Sequence, residues 1–489
     1  MSKVGLKLTD NQRFLLRNVS IIVLGLFINQ LLQTLGSIVL ARLLDDPVRF
    51  GEVNLLLQIF GMVALFLNVG FNSSLVYTFS TNAEEAIHRK FRVALAGSTF
   101  FGVVVSVAMC ILAPVLAASY GIAELKGALM LSSVTLFFNS IVNIGVASFS
   151  GNRDFRTQAF FMVVMTTFST AAMIMGVLVP FHDLLWGVSL WTGIGSALTA
   201  AFICWKVARV HRPRWRGAVR LAEMKDMMKY GVPMWAGNIA KAFQQPFLVM
   251  MIGSISVVAV GQLANASRIT GFIGIITWAF MIVTLPFVAE SAHNPKESSR
   301  RGTLCIRYNN LILYPLTAAI CIFPDEINGF LFGSGYTTPE SATYIRLLAL
   351  GVFFSSVGRL GGNILAGIGK TKANFWVMIL AGIIVIALVP VLVKVDAVWA
   401  VWVYTASWAV SAFVMIYFFF VEGFSPDWWK AYGQPFVPTA VMTALILIGR
   451  LSEAWLPYFV VVGVISLLAL TMRIESKKGL TIRSIRLHR

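Results

Sequence analysis

Acidic residues are scarce in this chain. Asp and Glu number 21 against 39 Lys and Arg, and all charged types together make up 12% of 489 residues. A water-soluble domain carries about a quarter charged residues, so so little charge cannot cover a solvated surface of this size. Cysteine is nearly absent. Cys110, Cys204, Cys305 and Cys321 lie in or beside apolar segments, share no metal or redox spacing, and read as small buried hydrophobes. The histidines His88, His182, His211, His293 and His488 fall in connecting segments without metal-ligand pairing. The sequence has no phosphate-cradling glycine loop, no nucleophile elbow and no paired-histidine metalloprotease motif. These absences argue against an enzyme and against a resident metal or cofactor. The first apolar run is too long for a cleavable signal peptide and lacks a cleavage-site pattern.

What is abundant is apolar side chain, 58% of the residues, with a mean hydropathy of +0.80. Lipid can solvate such a surface where water cannot, provided the backbone is satisfied within helices. The sequence therefore predicts an all-α polytopic membrane protein. About 20 apolar residues make one span. Fourteen candidate spans centre near Phe27, Met62, Val105, Phe137, Thr167, Gly195, Ala242, Ile275, Leu313, Phe354, Ile384, Ala409, Ala444 and Gly463; the last two are the weakest.

The net charge of +18 would suggest nucleic acid in a soluble protein. Here the basic residues sit between apolar runs, so they report topology instead, and no nucleic-acid partner is expected. Lys3, Lys7, Arg13 and Arg17, then Arg89, Lys90 and Arg92, then the segment Lys206 to Lys229, then Lys296, Arg300, Arg301 and Arg307, and finally the tail from Arg473 all fall on one side. The opposite side holds only Arg42, Arg49, Lys126, Lys394 and Arg450. Both termini are thus expected in the cytoplasm of a bacterium, with the chain in the inner membrane and its basic tail near anionic lipid. The outside connections are short and leave no room for an external catalytic domain.

An internal repeat divides the chain. Phe137–Gly151 and Phe353–Gly367 align without gaps, matching two phenylalanines, a serine (Ser140 with Ser356) and two glycines (Gly145 with Gly361, Gly151 with Gly367). A weaker echo pairs Phe50–Asn54 with Val260–Asn265. Each echo is about six spans apart, which implies two parallel six-helix bundles about an axis along the membrane normal. The expected layout is a bundle over 1–205, a basic cytoplasmic linker over 206–229, a second bundle over 230–421, two additional spans over 422–472, and a basic tail over 473–489. Two halves around a central cavity is a transporter design.

Four cations fall within spans: Lys241, Arg268, Arg346 and Arg359. Each costs about 2.5–3.5 kcal/mol at a helix centre on insertion scales, so each should face protein or a wet cavity. No carboxylate lies deep in any span. The natural partner of such cations is an anion arriving with a substrate, and a diphosphate suits Arg and Lys. Snorkelling is the competing reading, strongest for Arg346, then Arg268. Uncharged polar groups recur at helical spacing: Asn29, Gln33 and Ser37 in the first span with Gln30 and Thr34 beside them, Asn139 and Asn143 in the fourth, Asn238 and Gln245 beside Lys241 in the seventh, and Asn363 aligned with Arg359 in the tenth. Such amides can meet sugar hydroxyls or pack helices; lining is favoured in the first and seventh spans. Pro233, Pro246, Pro286 and Pro315 are read as interruptions, with Pro246 a candidate hinge.

Several short stretches resemble the polysaccharide flippases of the Wzx type, in the polysaccharide transporter branch of the multidrug/oligosaccharidyl-lipid/polysaccharide (MOP) exporter superfamily. They are Ala41-Arg42-Leu43-Leu44 followed by Phe50-Gly51, Tyr230-Gly231-Val232-Pro233, and Leu365 through Lys372. The resemblance runs from about Arg17 to the eleventh span. It implies a V-shaped pair of bundles with alternating access, and an undecaprenyl-diphosphate-linked glycan flipped outward for surface or exopolysaccharide synthesis. Membrane lipid, polymerase and other polysaccharide-assembly proteins are the expected partners. Many relatives carry an acid in the seventh span; here Gln244 through Val249 has none. The alternative on the same fold is a drug or small-molecule cation antiporter of the MATE-like type, which predicts an intramembrane carboxylate. A membrane enzyme on the same lipid and a recruiting platform were the other classes weighed.

Overall fold

The computed structural model describes residues 10–81, 84–152, 154–211, 221–370, 372–450 and 455–476, with some side chains inside these ranges excepted. Lys3, Lys7, residues 212–220 of the basic linker and the basic tail from 477 lie outside them. The described residues form seventeen α-helices and no named strand. In order these are α1 (Asp10–Leu44), α2 (Pro47–Ala64), α3 (Phe71–Thr81), α4 (Glu84–Tyr120), α5 (Ala123–Gly151), α6 (Phe155–Leu178), α7 (Leu184–His211), α8 (Leu221–Ala242) and α9 (Gln244–Gly253). Then follow α10 (Val257–Ala289), α11 (Pro295–Ile322), α12 (Pro324–Phe332), α13 (Pro339–Gly367), α14 (Lys372–Leu392), α15 (Ala397–Val421), α16 (Gln434–Gly449) and α17 (Leu456–Ser476).

Among the described residues eleven stretches are long and apolar enough to cross a membrane: they lie in α1, α4–α7, α10, α11 and α13–α15, and over Trp429–Gly449, a π-helical turn continued by α16. The chain is a multi-span membrane protein. All fourteen expected centres fall on helices, but three lack a full span. The second is split into α2 and α3, because the chain reverses its backbone twist at Val69 (φ 36°) and Gly70 (φ 86°). The seventh is split into α8 and α9, and α17 is a shorter apolar helix. Of the four prolines read as interruptions, only Pro246 sits at a break. Helices α8, α10 and α11 run through Pro233, Pro286 and Pro315.

Capping residues set several starts. Asp46 accepts from Val48 N at 2.8 Å at the head of α2, Asp154 from Thr157 N at 3.1 Å at α6, Asp183 from Trp186 N at 2.9 Å at α7, and Asn294 from Glu297 N at 3.2 Å at α11. Each satisfies an amide that the first turn leaves without an intrahelical partner.

The helices form two compact units. The first comprises Met1–Arg268, Gly329–Ser341 and Gly382–Val403; the second comprises Ile269–Asn328, Ala342–Ala381 and Tyr404–Arg489. In the first, α1 packs on α6, α6 on α7, α7 on α5, and α5 on α4. Small residues allow the closest approaches, as is usual where lipid removes the hydrophobic drive between helices. A Cβ on Gly36 would stand 2.2 Å from Thr170 Cγ2, and one on Gly51 would stand 2.0 Å from the Val257 carbonyl oxygen. The echo glycines Gly51 and Gly261 meet each other, with the Gly261 Cβ position 3.3 Å from Gly51 Cα. The other echo pair plays matching parts: Gly145 on α5 packs against Ile203 of α7, and Gly361 on α13 packs against Met415 and Phe419 of α15.

The stretch Gly329–Ser341 belongs to the first unit. Arg42 donates to the carbonyl of Phe330 at 3.0 Å, the Tyr336 hydroxyl donates to the carbonyl of Ala41 at 3.1 Å, and Gln262 donates to Thr338 at 3.0 Å. The Tyr336 ring, buried, meets Phe50 edge-on at 5.3 Å. This strap ties the ends of α1 and α2 to α10.

Candidate functional site

A polar cavity of about 340 Å³ opens inside the first unit among α1, α2, α5, α6, α7 and the Arg268 turn of α10. From α1 come Gln33 and Ser37, and from α2 Asn54. Ser132, Thr135 and Asn139 come from α5, Thr166, Ser169 and Thr170 from α6, and Thr192, Ser196 and Thr199 from α7. Gln33 and Ser37 lie in the second half of α1, and the positions on α5, α6 and α7 lie toward the middle of their helices. Leu40, Leu57, Phe60 and Met173 supply apolar wall.

Arg268 is the one charged residue among the lining side chains. Its guanidinium donates to Gln33 Oε1 at 2.5 Å, and its carbonyl receives Gln30 Nε2 at 3.4 Å. A guanidinium carries five donors, so a single amide oxygen leaves capacity for an anion. Asn29 accepts a short hydrogen bond from Thr166, which holds α1 and α6 in register beside the cavity. Asn54 is held by the Phe50 carbonyl at 2.8 Å. Ser37 and Thr135 are each 4% exposed, and their hydroxyl oxygens find no hydrogen-bond partner among the described residues.

The other expected site residues are distributed as follows. Gln245 donates to Ser267 at 3.0 Å, one residue before Arg268. Asn143 is half-buried on α5, one turn beyond Asn139. Asn238 and Lys241 lie on α8, and their side chains fall outside the described residues. Pro246 follows the α8–α9 break at Phe243; proline has no amide to give to the carbonyl four residues back, which here is that of Ala242. In the second unit, Arg359 stacks its guanidinium 5.1 Å from the Trp408 ring centre, a cation–π contact. Asn363 donates to the Met281 carbonyl at 3.0 Å. Arg346 is exposed and donates to the Cys321 carbonyl at 3.2 Å.

Arg307 requires a correction. It was assigned to a basic connection, yet it sits in the fourth turn of α11 and is fully buried, its guanidinium 5.7 Å from the Tyr308 ring. Helix α11 begins at Pro295, so the basic cluster is its own first turns and carries Arg307 inward. The cavity hydroxyls of α5, α6 and α7 were also missed. Their signal is present as a one-face helical spacing of Ser132, Thr135 and Asn139, of Thr166, Ser169 and Thr170, and of Thr192, Ser196 and Thr199. It is masked because Ser and Thr in spans commonly bond their own helix, as Thr192 does to Val188 and Thr199 to Gly195, both at 2.8 Å.

Among the described residues no group of His, Cys, Asp or Glu could hold a metal ion. The arrangement is a neutral, hydrogen-bonding cavity with one cation on its wall.

Comparison with known proteins places this geometry. No curated protein matches the sequence. The solved structures it resembles include the lipid II flippase MurJ in an inward closed conformation, with TM-score 0.76, 13% identity, and coverage of 93% of this chain and 99% of that one. An inward-facing multidrug resistance MATE family transporter of the MOP superfamily gives a TM-score of 0.68 at 17% identity, covering 81% of this chain and 94% of that one. A MOP superfamily transporter from Pyrococcus furiosus, described as having a binding pocket of reverse polarity, gives 0.58 at 16% identity over 85% and 96%. At these identities the likeness is one of fold, the fold of MOP transporters. The sequence model of a family described as polysaccharide biosynthesis protein matches residues 39–338, and with well over half its length so matched, the chain belongs to that family.

Proposed function

We propose that this protein is a flippase that carries an undecaprenyl-diphosphate-linked oligosaccharide across the bacterial cytoplasmic membrane by alternating access, for surface polysaccharide or exopolysaccharide assembly. The observation that carries the reading is the cavity of the first unit. Among the described residues its single charge is positive, no carboxylate lines it, and the rest of its polar wall is hydroxyl and amide. A site of that sign attracts a phosphorylated ligand and repels a cation, which counts against a cation antiporter. Arg268 contacts a phosphate oxygen through the donors that Gln33 does not occupy, and Lys241, Arg346 and Arg359 are the further candidate cations to be tested beside it. Gln30, Asn29, Asn139 and Gln245 hold or extend the polar wall, and Asn143, Asn238 and Asn363 are further candidate polar contacts.

Both termini face the cytoplasm, as the Lys/Arg bias indicates. Transport draws on an ion gradient or on removal of the product outside, since the sequence carries no nucleotide-binding loop. The test is complementation of a flippase-deficient strain by Lys241→Ala, Arg268→Ala, Arg346→Ala and Arg359→Ala, each at matched membrane level. Arg268→Ala is expected to lose surface polysaccharide and to leave the lipid-linked precursor on the cytoplasmic face. Full activity in all four variants would sink the cationic-cavity mechanism.

A further inference from the structure

We infer that the cavity of the first unit is a sugar subsite, taking the uncharged pyranose portion of the ligand while Arg268 stands at its wall for the anionic portion. The inference rests on the flippase reading and adds which part of the molecule enters the helical bundle.

Three observations carry it. The first is Ser37 Oγ and Thr135 Oγ1, both buried, both in the cavity wall, and both without a hydrogen-bond partner among the described residues. Buried hydroxyls without a protein partner are uncommon and call for a ligand or water to satisfy them. The second is the mixture of hydrogen-bonding roles. Thr192 and Thr199 give their protons to their own helix, at the carbonyls of Val188 and Gly195, and so offer acceptor lone pairs, whereas Asn139 offers both a donor and an acceptor. A sugar hydroxyl donates and accepts at once and matches such a wall; a phosphate only accepts. The third is size. At about 340 Å³ the cavity lies within the roughly 300–1,000 Å³ over which proteins bury small ligands, while Leu57 and Phe60 give the C–H face of a ring an apolar surface.

The test uses the purified full chain in lipid nanodiscs and measures binding of undecaprenyl diphosphate and of the same lipid bearing glucose, galactose or N-acetylglucosamine. Wild type should bind at least one glycosylated lipid about tenfold more tightly than the bare diphosphate. The double variant Ser37→Ala, Thr135→Val should lose that preference and keep its affinity for the bare lipid. Its melting temperature should be no lower than that of wild type, because the removed hydroxyls bond nothing in the protein. Equal affinity of wild type for bare and glycosylated lipids, or an unchanged preference in the double variant, would overturn the subsite. A lowered melting temperature in the variant would assign the two hydroxyls to packing and overturn it as well. If neither kind of lipid binds, the flippase reading fails and the subsite with it.

Discussion

The two units hold their cations differently. In the first, Arg268 lies on a cavity wall and its guanidinium donates to the amide oxygen of Gln33. In the second, cations are absorbed by the protein itself: Arg359 lies on Trp408, Arg346 bonds a carbonyl, Arg301 pairs with Glu290 at 2.9 Å and Glu297 at 3.1 Å, and Lys370 pairs with Glu422 at 3.0 Å. The hydroxyls diverge in the same way. Ser411 of the second unit reaches Val377 across the helix packing, and Thr405 reaches Leu347 at 2.8 Å, while Ser37 and Thr135 stand in the cavity wall. The cavity hydroxyls of the first unit thus keep hydrogen-bonding capacity that Ser411 and Thr405 of the second spend on helix packing. Capacity left over after folding is what a binding site needs.

The comparison can be broken at its packed end first. Trp408→Ala should have the largest effect on stability, about 3–5 kcal/mol for loss of a buried aromatic, with the Arg359 guanidinium stripped of its ring in addition. Thermal unfolding in detergent would show it, and Trp408→Phe should recover most of the loss. A near-neutral Trp408→Ala would mean that Arg359 is not held by the protein and that the two units are less different than stated. Gly70→Ala comes next. Its φ of 86° and a Cβ position 2.2 Å from the Gly231 carbonyl carbon imply a cost of about 1–3 kcal/mol from backbone strain alone. Gly61→Ala, with nothing within 4 Å of its Cβ position, is the neutral control for the same assay.

Pro246→Ala should have the smallest effect on stability and the opposite sign. Restoring an amide to the Ala242 carbonyl is worth about 0.5–1.5 kcal/mol. The gain is expected to slow the switch between inward and outward access, read as cysteine-accessibility kinetics of a reporter on α8. Unchanged transport and unchanged kinetics would remove Pro246 as a hinge and leave the α8–α9 break as static geometry.

Much of the fold was legible because hydropathy reads directly on bilayer thickness. The long apolar stretches in α1, α4, α5 and α15 could hardly be anything else. The breaks were less legible. Val69 takes a positive φ that no propensity assigns to valine, and its turn is held by tertiary packing, with Gly70 lying on Gly231. The strap at 329–341 was hidden because its contacts to Ala41, Arg42 and Gln262 join residues far apart in sequence. At the site, Arg268, Gln33 and Asn139 stood out as charge and amide in apolar surroundings, and all three line the cavity. Ser37 was legible too, on the same face as Asn29 and Gln33, whereas Thr135 was not, because a span hydroxyl that bonds its own helix and one that bonds a ligand look alike in sequence.

The most direct test of the central claim is transbilayer movement in proteoliposomes containing the purified chain and a fluorescent undecaprenyl-diphosphate-linked oligosaccharide, with wild type and Arg268→Ala compared at equal reconstitution. The account predicts protein-dependent loss of the lipid from the accessible leaflet with wild type, and a rate for Arg268→Ala at least tenfold lower. Movement by Arg268→Ala at the wild-type rate, or no movement by wild type above protein-free vesicles, would contradict it.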